Sequence, residues 1–256
     1  MTRDAATSWN RRAFAFDNRL AEDTDPFITI IRNNVELSRE TTDILDIGCG
    51  TGTYSLPFAG EVRSIRGIDV SPEMVDRARV QAYKSSVSNA RFSVTDWETA
   101  DPASLGKYSL VIAHMTPAVR GRESFEKIME VASGWCFYAG YKARNSPVWD
   151  EIYRIVGEPR IPESERLTMA RDVVLEHGLV PHTGSFARKI ERRWTVEEAT
   201  TFYTEAVESF AEPDESQLYR LRQWIGSQSS NGYFTDVSEP SIGVVYWNMD
   251  EVRRGR

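Results

Sequence analysis

Two cysteines and three histidines in 256 residues leave little material for a disulfide framework or a metal centre. Cys49 and Cys136 are far apart in the chain with no other thiol near either, so both are expected to be reduced. His114, His177 and His182 show no H-E-x-x-H pattern and no neighbouring cysteine, which sets zinc aside; His177 and His182 read as surface residues, with His182 a distant pocket candidate. No uninterrupted apolar run approaches the roughly 20 residues of a membrane span. The amino end is polar and lacks the apolar stretch of an export signal, so a cytoplasmic protein is expected. Positive charge is also short: 31 Lys and Arg against 38 Asp and Glu give a formal charge of −7, which disfavours a broad phosphate-tracking surface for nucleic acid. The basic run Arg188 to Arg193 and the tail Arg253 to Arg256 read as strand alternation and a solvated end. No repeat or low-complexity tract divides the chain, and its length suits a single domain over residues 1–256.

Against these absences stands Ile44-Leu45-Asp46-Ile47-Gly48-Cys49-Gly50-Thr51-Gly52, a short apolar run ending in three alternate glycines. It describes a strand that turns tightly beneath a bound nucleotide, because glycine is needed where backbone approaches a ligand or takes positive φ. The G-x-G-x-x-G spacing of dinucleotide sites is not met: the third position is Thr53 counted from Gly48, and Ser55 counted from Gly50. A phosphate-cradling loop would need a following lysine, and none lies between Thr41 and Ala82.

Further strands follow in order. Ser64 to Asp69 ends on a carboxylate about 20 residues past the glycines, where a ribose-binding acid is expected. Val70 follows it, and Ser71-Pro72 is an N-cap and first-turn signal for a helix with Val75, Ala78 and Ala82 on its apolar face. Arg91 to Trp97 reads as a third strand closing on an acid and an aromatic. Tyr108 to Ala113 reads as a fourth, delivering His114-Met115-Thr116-Pro117 to the carboxyl edge, where open α/β sheets bind ligands. Trp135 to Tyr141 is a fifth, and His182 to Trp194 and Ile242 to Trp247 supply the last two.

This succession resembles the class I S-adenosylmethionine-dependent methyltransferases, whose first motif is an apolar strand, an acid and G-x-G-x-G. The likeness is good from Asp43 to about Tyr141 and poor at the two ends. It implies a Rossmann-like α/β fold with a seven-stranded sheet of order 3-2-1-4-5-7-6, strand 7 antiparallel, and helical lid insertions. It also implies S-adenosylmethionine as donor and S-adenosylhomocysteine as product. By the same resemblance the donor is held by Asp46, Gly48, Cys49, Gly50, Gly52, Tyr54, Asp69, Val70, Met74, Asp96, Trp97 and His114. Asp69 would take the ribose hydroxyls and Asp96 the adenine amine; the Trp97 amide, with its ring edge, and the Met74 side chain would flank the base. Plainer roles stand beside these: core packing for Met74 and Trp97, and an N-cap for Asp96. Asp46 either braces the glycine turn or faces the methionine amino group. Tyr54 either meets the methionine end or anchors the following helix.

His114 would face the transferred methyl. It is the candidate general base, as an imidazole titrating near working pH, or else a residue that only packs the loop. The Asn-Pro-Pro-Tyr type of station found in amine-methylating branches is missing here, and only Pro117 overlaps it. In-line displacement at the donor methyl onto a small-molecule acceptor is therefore expected. A methyltransferase acting on protein or RNA, and a non-catalytic donor-binding partner subunit, are the alternatives. The core is expected over about 42–145, 180–194 and 240–250, with a lid from 1–40 and 195–239. The lid begins with the aromatic cluster from Trp9 to Phe16 and a helix opened by Asp25-Pro26. Its later part carries a T-x-x-E capping box at Thr195 and Glu198, and a helix over Leu218 to Ile225. Pro147 to Gly178 reads as two more helices, punctuated by Pro159 and Pro162. Trp224 and Tyr233 are read as exposed aromatics that fit either the lid or a homodimer contact.

Overall fold

The computed structural model describes residues 5–16, 20–159 and 164–252; Pro162 and the Arg253 to Arg256 tail lie outside the described residues. In chain order the elements are α1 (Ala5–Arg12), α2 (Pro26–Asn34), β1 (Asp43–Ile47), β2 (Ser64–Asp69), α3 (Pro72–Lys84), β3 (Ala90–Val94), α4 (Pro102–Leu105), β4 (Tyr108–His114), α5 (Arg122–Val131) and β5 (Ala132–Ala143). They continue as α6 (Pro147–Val156), α7 (Glu165–Glu176), β6 (His182–Ala187), β7 (Ile190–Thr195), α8 (Val196–Glu208), α9 (Glu215–Gln228), β8 (Tyr233–Ser238) and β9 (Ser241–Asn248).

Seven strands form one sheet in the order β3-β2-β1-β4-β5-β9-β6. The first five are parallel and β9 runs antiparallel to both its neighbours. Numbered within this sheet alone, that is the expected 3-2-1-4-5-7-6. Ile44, Leu45 and Ile47 on β1 and Leu110 to Ala113 on β4 are buried, as the central strands of a sheet covered on both faces must be. One face packs Val111, Tyr138 and Trp247 against α5 and α7; the other packs Ile44, Ile112 and Phe137 against α2 and α3. The order reverses between β1 and β4, so their carboxyl ends diverge and leave a crevice between the loops that follow.

The segment from His182 to Trp194, expected as one strand, is two. β6 joins β9 in the main sheet, whereas β7 leaves it and pairs with β8 as a separate two-stranded sheet. The Arg188 amide donates to the Pro240 carbonyl at 3.1 Å, which fixes the bend between them. A second correction concerns the chain after the glycines. The expected helix is replaced by turns and one 3₁₀ turn, Leu56–Phe58, where Pro57 removes an amide donor and Gly60 follows closely.

The insertions build a core of their own, in which α6, α8, α9, β7 and β8 enclose Ile152, Trp194, Tyr203, Leu221 and Phe234. Thr195 and Glu198 form the expected capping box, and Asp214 with Gln217 forms another at α9. The two helices between β5 and β6 part company: α6 joins this cap, while α7 buries Ala170, Val173 and Val174 against the main sheet. α2, expected as lid, buries Phe27, Ile28 and Ile31 in the main core. α1 is the amino-terminal piece that reaches the cap, through Arg11 to Glu205 at 2.8 Å. Trp224, expected to be exposed, packs against Phe234 inside the cap, whereas Tyr233 is 41% exposed.

Candidate active site

Gly48, Gly50 and Gly52 have φ of +65°, +52° and +77°, so the chain winds through the left-handed region at every second residue. A β-carbon on Gly48 would lie 1.9 Å from Thr116 Oγ1, because the first turn passes directly against the loop that ends β4. On Gly50 a β-carbon would meet nothing within 4 Å, so this bend faces open space. Gly48→Ala is therefore expected to destabilise the protein by about 2–4 kcal/mol, combining left-handed strain with overpacking, and to weaken donor binding as the loop shifts. Thermal unfolding and calorimetry on the variant check both effects.

Asp69, at the end of β2, accepts from the Gly50 amide at 3.0 Å through one oxygen and from the Ser71 amide at 2.9 Å through the other. It ties the glycine loop to the start of α3, and each oxygen keeps capacity for a further donor. Burial raises its pKa, opposed by those amides. Ser71 Oγ caps α3 by accepting from the Met74 amide at 3.1 Å, and the Met74 side chain is buried above that turn. Asp46 is buried at 3% exposure beneath the glycine loop. Burial drives its carboxyl up to about 7, with the charge of Asp69 adding to the rise.

The adenine-side residues divide. Asp96 is exposed and accepts from the Glu98 amide at 2.9 Å through Oδ1, leaving Oδ2 for another donor. The Trp97 ring is committed to the core: its Nε1 donates to Ser124 Oγ at 2.8 Å, and the Lys127 ammonium lies 5.3 Å from the ring centroid. That corrects the expectation of a ring edge at the base: Trp97 lies in the turn after β3, and its bond to Ser124 draws the ring into the core against α5. The Trp97 main chain stays at the rim.

At the end of β4 the His114 ring stacks on Tyr54 with centroids 3.5 Å apart, and Phe27 lies 4.6 Å away on α2. Met115 then takes φ of +51°, rare for a non-glycine residue and characteristic of strained functional turns. Arg188, from the foot of β7, donates to the Tyr54 hydroxyl and lies 3.5 Å from Asp25 Oδ2. Asp25 in turn caps α2 by accepting from the Phe27 amide at 2.9 Å. Burial, with Arg188 adding, lowers the His114 pKa to about 3, and its Nε2 is buried without a hydrogen-bond partner among the described residues. The imidazole is thus neutral at any working pH, which corrects the expectation that it titrates there. Tyr54 is pushed up to about 12, chiefly by burial, and stays a phenol. His182, by contrast, stacks on Tyr246 and bonds Glu251 at 2.8 Å, along the sheet from this cluster.

Every residue expected to touch the donor, apart from the Trp97 ring, lies along the carboxyl edges of β1, β2, β3 and β4, in the turns that follow them or, for Met74, in the first turn of α3. The glycine bends with the paired acids Asp46 and Asp69 beside them fit a cationic nucleoside rather than a pyrophosphate, since carboxylates at the loop repel an anion. Asp25, Phe27 and Arg188 enter this neighbourhood unforeseen, and the run containing Arg188 reads as ordinary strand alternation.

A family model for a methyltransferase domain matches residues 44–135. Aklanonic acid methyltransferase DauC of Streptomyces sp. (strain C5) is 35% identical over 96 residues, covering 33% of this chain and 44% of DauC. An uncharacterized RNA methyltransferase of Streptococcus agalactiae is 36% identical over 64 residues, covering 25% of this chain and 14% of that protein. The similarity to both thus extends over less than half of their length. Magnesium protoporphyrin IX methyltransferase (ChlM) from Synechocystis PCC 6803, solved with bound S-adenosylhomocysteine, has the same fold. Its TM-score is 0.53 at 16% identity, over 92% of this chain and 94% of that one. YcgJ from Bacillus subtilis gives 0.53 at 17% identity, over 89% and 97%. The sheet order and the glycine loop define a Rossmann-like α/β fold. Residues 44–135 match a methyltransferase domain, and they sit in a seven-stranded sheet of Rossmann-like order.

Proposed function

We propose that the chain transfers the methyl group of S-adenosylmethionine to a small-molecule acceptor. The observation that carries this is the aromatic cluster at the β4 carboxyl end, where His114, Tyr54 and Phe27 pack beside the glycine loop and Arg188 reaches Tyr54 from the foot of the cap. An acceptor admitted there is bounded by protein on several sides, as a small molecule is and a polymer strand is not. The formal charge of −7 agrees, and so does the name of DauC. Among the described residues no helix is long and apolar enough to cross a membrane.

When bound, the donor supplies a methyl carbon already activated by its sulfonium charge. The protein's part is alignment, which can contribute roughly 7–11 kcal/mol. Amides of the glycine loop, Asp69, Val70, Met74, Asp96 and the Trp97 main chain hold the nucleoside, with Asp46 and Tyr54 toward the methionine end. His114 orients rather than deprotonates: an imidazole with pKa about 3 is too weak a base to store a proton, but its Nε2, without a partner among the described residues, is available to accept a hydrogen bond from the acceptor. His114→Ala is expected to lower turnover about tenfold or more with donor affinity unchanged, since misplacement of the acceptor costs rate. The wild-type rate should show no imidazole limb between about pH 5 and 9. Unaltered turnover in the variant removes His114 from the mechanism.

α1 and the insertion from Thr195 to Glu239 form the lid of this reading. Asn10 Oδ1 accepts from Ser71 Oγ at 2.6 Å and lies 3.3 Å from the Glu73 amide, so α1 sits on the nucleoside side of α3 while bonding the cap through Arg11. Amide exchange in α1 and α8 is expected to slow when the donor binds; exchange unchanged by donor refutes the lid. The reading as a whole is tested by calorimetry with S-adenosylmethionine, followed by mass detection of methyl gain in a metabolite pool. Binding without any methyl gain favours a non-catalytic donor-binding subunit, and gain confined to protein or RNA favours a polymer acceptor.

A further inference from the structure

The β7–β8 hairpin has two unlike faces. Side chains alternate along β7, so Arg193 points outward onto the Tyr233 ring at 4.1 Å, while Ile190, Arg192 and Trp194 point inward. The inner face is apolar at its far end, where Trp194 and Phe234 pair in the cap core, and polar at its near end, where Arg192 stands opposite Asp236. The near end is the one joined to the main sheet: Glu239 bonds Asn145 at 2.9 Å, and β9 begins at Ser241. A half-buried arginine thus lies at the carboxyl edge; among the described residues its guanidinium has no ion pair and no hydrogen bond, with the Trp194 ring 5.9 Å away and Tyr203 within electrostatic reach.

The surroundings are built for charge. Asp236 is 2% exposed; it accepts from the Tyr203 hydroxyl at 2.6 Å through Oδ2, and its buried Oδ1 has no hydrogen-bond partner among the described residues. The Arg144 guanidinium lies between the rings of Tyr141 and Trp149, 4.3 and 4.7 Å from their centroids, just past the end of β5. Tyr141 is two residues beyond Ala139, the β-partner of His114. Arg188 closes the circuit from the other side through Tyr54, which stacks on His114, and it spends only Nη1 on Tyr54 and Asp25. Arg192 and Arg144 thus lie near the Tyr203–Asp236 pair, and Arg188 lies beside Asp25.

We infer that Arg192 and Arg188 form the acceptor-recognition wall of this site, and that the acceptor is a small molecule bearing a carboxylate. A guanidinium presents a planar fork matched to the two oxygens of a carboxylate, and the partial burial of Arg192 strengthens its pairing. Asp236 Oδ1 accepts a hydrogen bond from a hydroxyl or amine of the same acceptor, which holds it in one orientation under the hairpin. The inference rests on the methyltransferase reading and narrows its substrate class.

The test fractionates a small-molecule extract by charge into anionic, neutral and cationic pools, and supplies each with deuteromethyl-labelled S-adenosylmethionine. Methyl gain is expected in the anionic pool. For the acceptor found, Arg192→Gln and Arg188→Gln should raise KM tenfold or more with S-adenosylhomocysteine affinity unchanged. Outward-facing Arg193→Gln should match the wild type, and the neutral amide of the acceptor should not distinguish wild type from Arg192→Gln. Gain confined to the neutral or cationic pool overturns the inference and leaves the methyltransferase reading standing. If the Arg192 and Arg188 variants instead lose S-adenosylhomocysteine affinity with the acceptor KM unchanged, the carboxylate they hold is the donor's own, and the inference also falls. No gain in any pool from protein that binds the donor sinks both.

Discussion

Replacement of Asp69 by alanine is expected to weaken S-adenosylhomocysteine binding by about a hundredfold or more, the largest single effect on the donor site. Two contributions add. The ribose hydroxyls lose a charged acceptor, and hydrogen bonds to charged groups contribute about 1.5–3 kcal/mol each. The second loss is internal: with the carboxylate gone, the Gly50 and Ser71 amides that it ties together lose their common acceptor, and the glycine bend is released from the start of α3. Asp69→Asn separates the two. Its amide oxygen can still accept from one main-chain donor, so much of the loop geometry persists while the charge is lost, and an intermediate affinity is expected. Calorimetry on both variants, with thermal unfolding of each free protein to register the loosened loop, is the measurement. If Asp69→Ala binds within threefold of wild type, the ribose station lies elsewhere.

The parts of this site that could be read in the sequence are those whose geometry is local. Three glycines forced into positive φ, an acid at a fixed distance down the chain and a Ser-Pro helix start each carry their own physical signature, and the fold places all of them on one edge. The sheet order was legible by another route, through the resemblance that the glycine motif and the later stations carry, which implied the order observed. What was not legible depends on contacts between distant segments. Nothing near Arg188 indicates that it will meet Tyr54, 134 residues earlier, or lie beside Asp25. The break between β6 and β7 is hidden because alternation runs through both strands with no glycine or proline between them, and only their different partners, β9 and β8, separate them. The Trp97 ring could have served base or core until the position of Ser124 on α5 decided it. His114 was found by position, but its protonation state follows from burial and from Arg188, neither of which a one-dimensional reading contains.

Asp46 should make the stability of the free protein fall as pH rises, against the usual behaviour of carboxylates. Its pKa is about 7 in the fold, against an ordinary value of 3.8, with burial as the main cause and Asp69 adding repulsion. Below pH 3.8 both the folded and unfolded forms hold the proton and nothing is lost. Between about pH 4 and 7 the unfolded chain releases it while the fold retains it, so stability declines through that window and levels off above it. At roughly 1.4 kcal/mol per unit of pKa difference, the full decline is about 4 kcal/mol. Asp46→Asn keeps the shape without the titration, so the variant should gain on the wild type as pH rises from 4 to 7 and hold its advantage above that. Donor binding should run the other way. A cationic amino group beside Asp46 favours the ionised carboxylate, so wild-type affinity for S-adenosylhomocysteine should rise through about pH 7, beyond the ligand's own titration, which Asp46→Asn reports alone. Unfolding and calorimetric titrations of both proteins at matched pH values decide it. Stability curves that stay parallel from pH 4 to 8 would show that Asp46 ionises normally. A stability difference without an affinity difference would leave it a brace for the glycine turn, held neutral by its burial and taking no part in holding the donor.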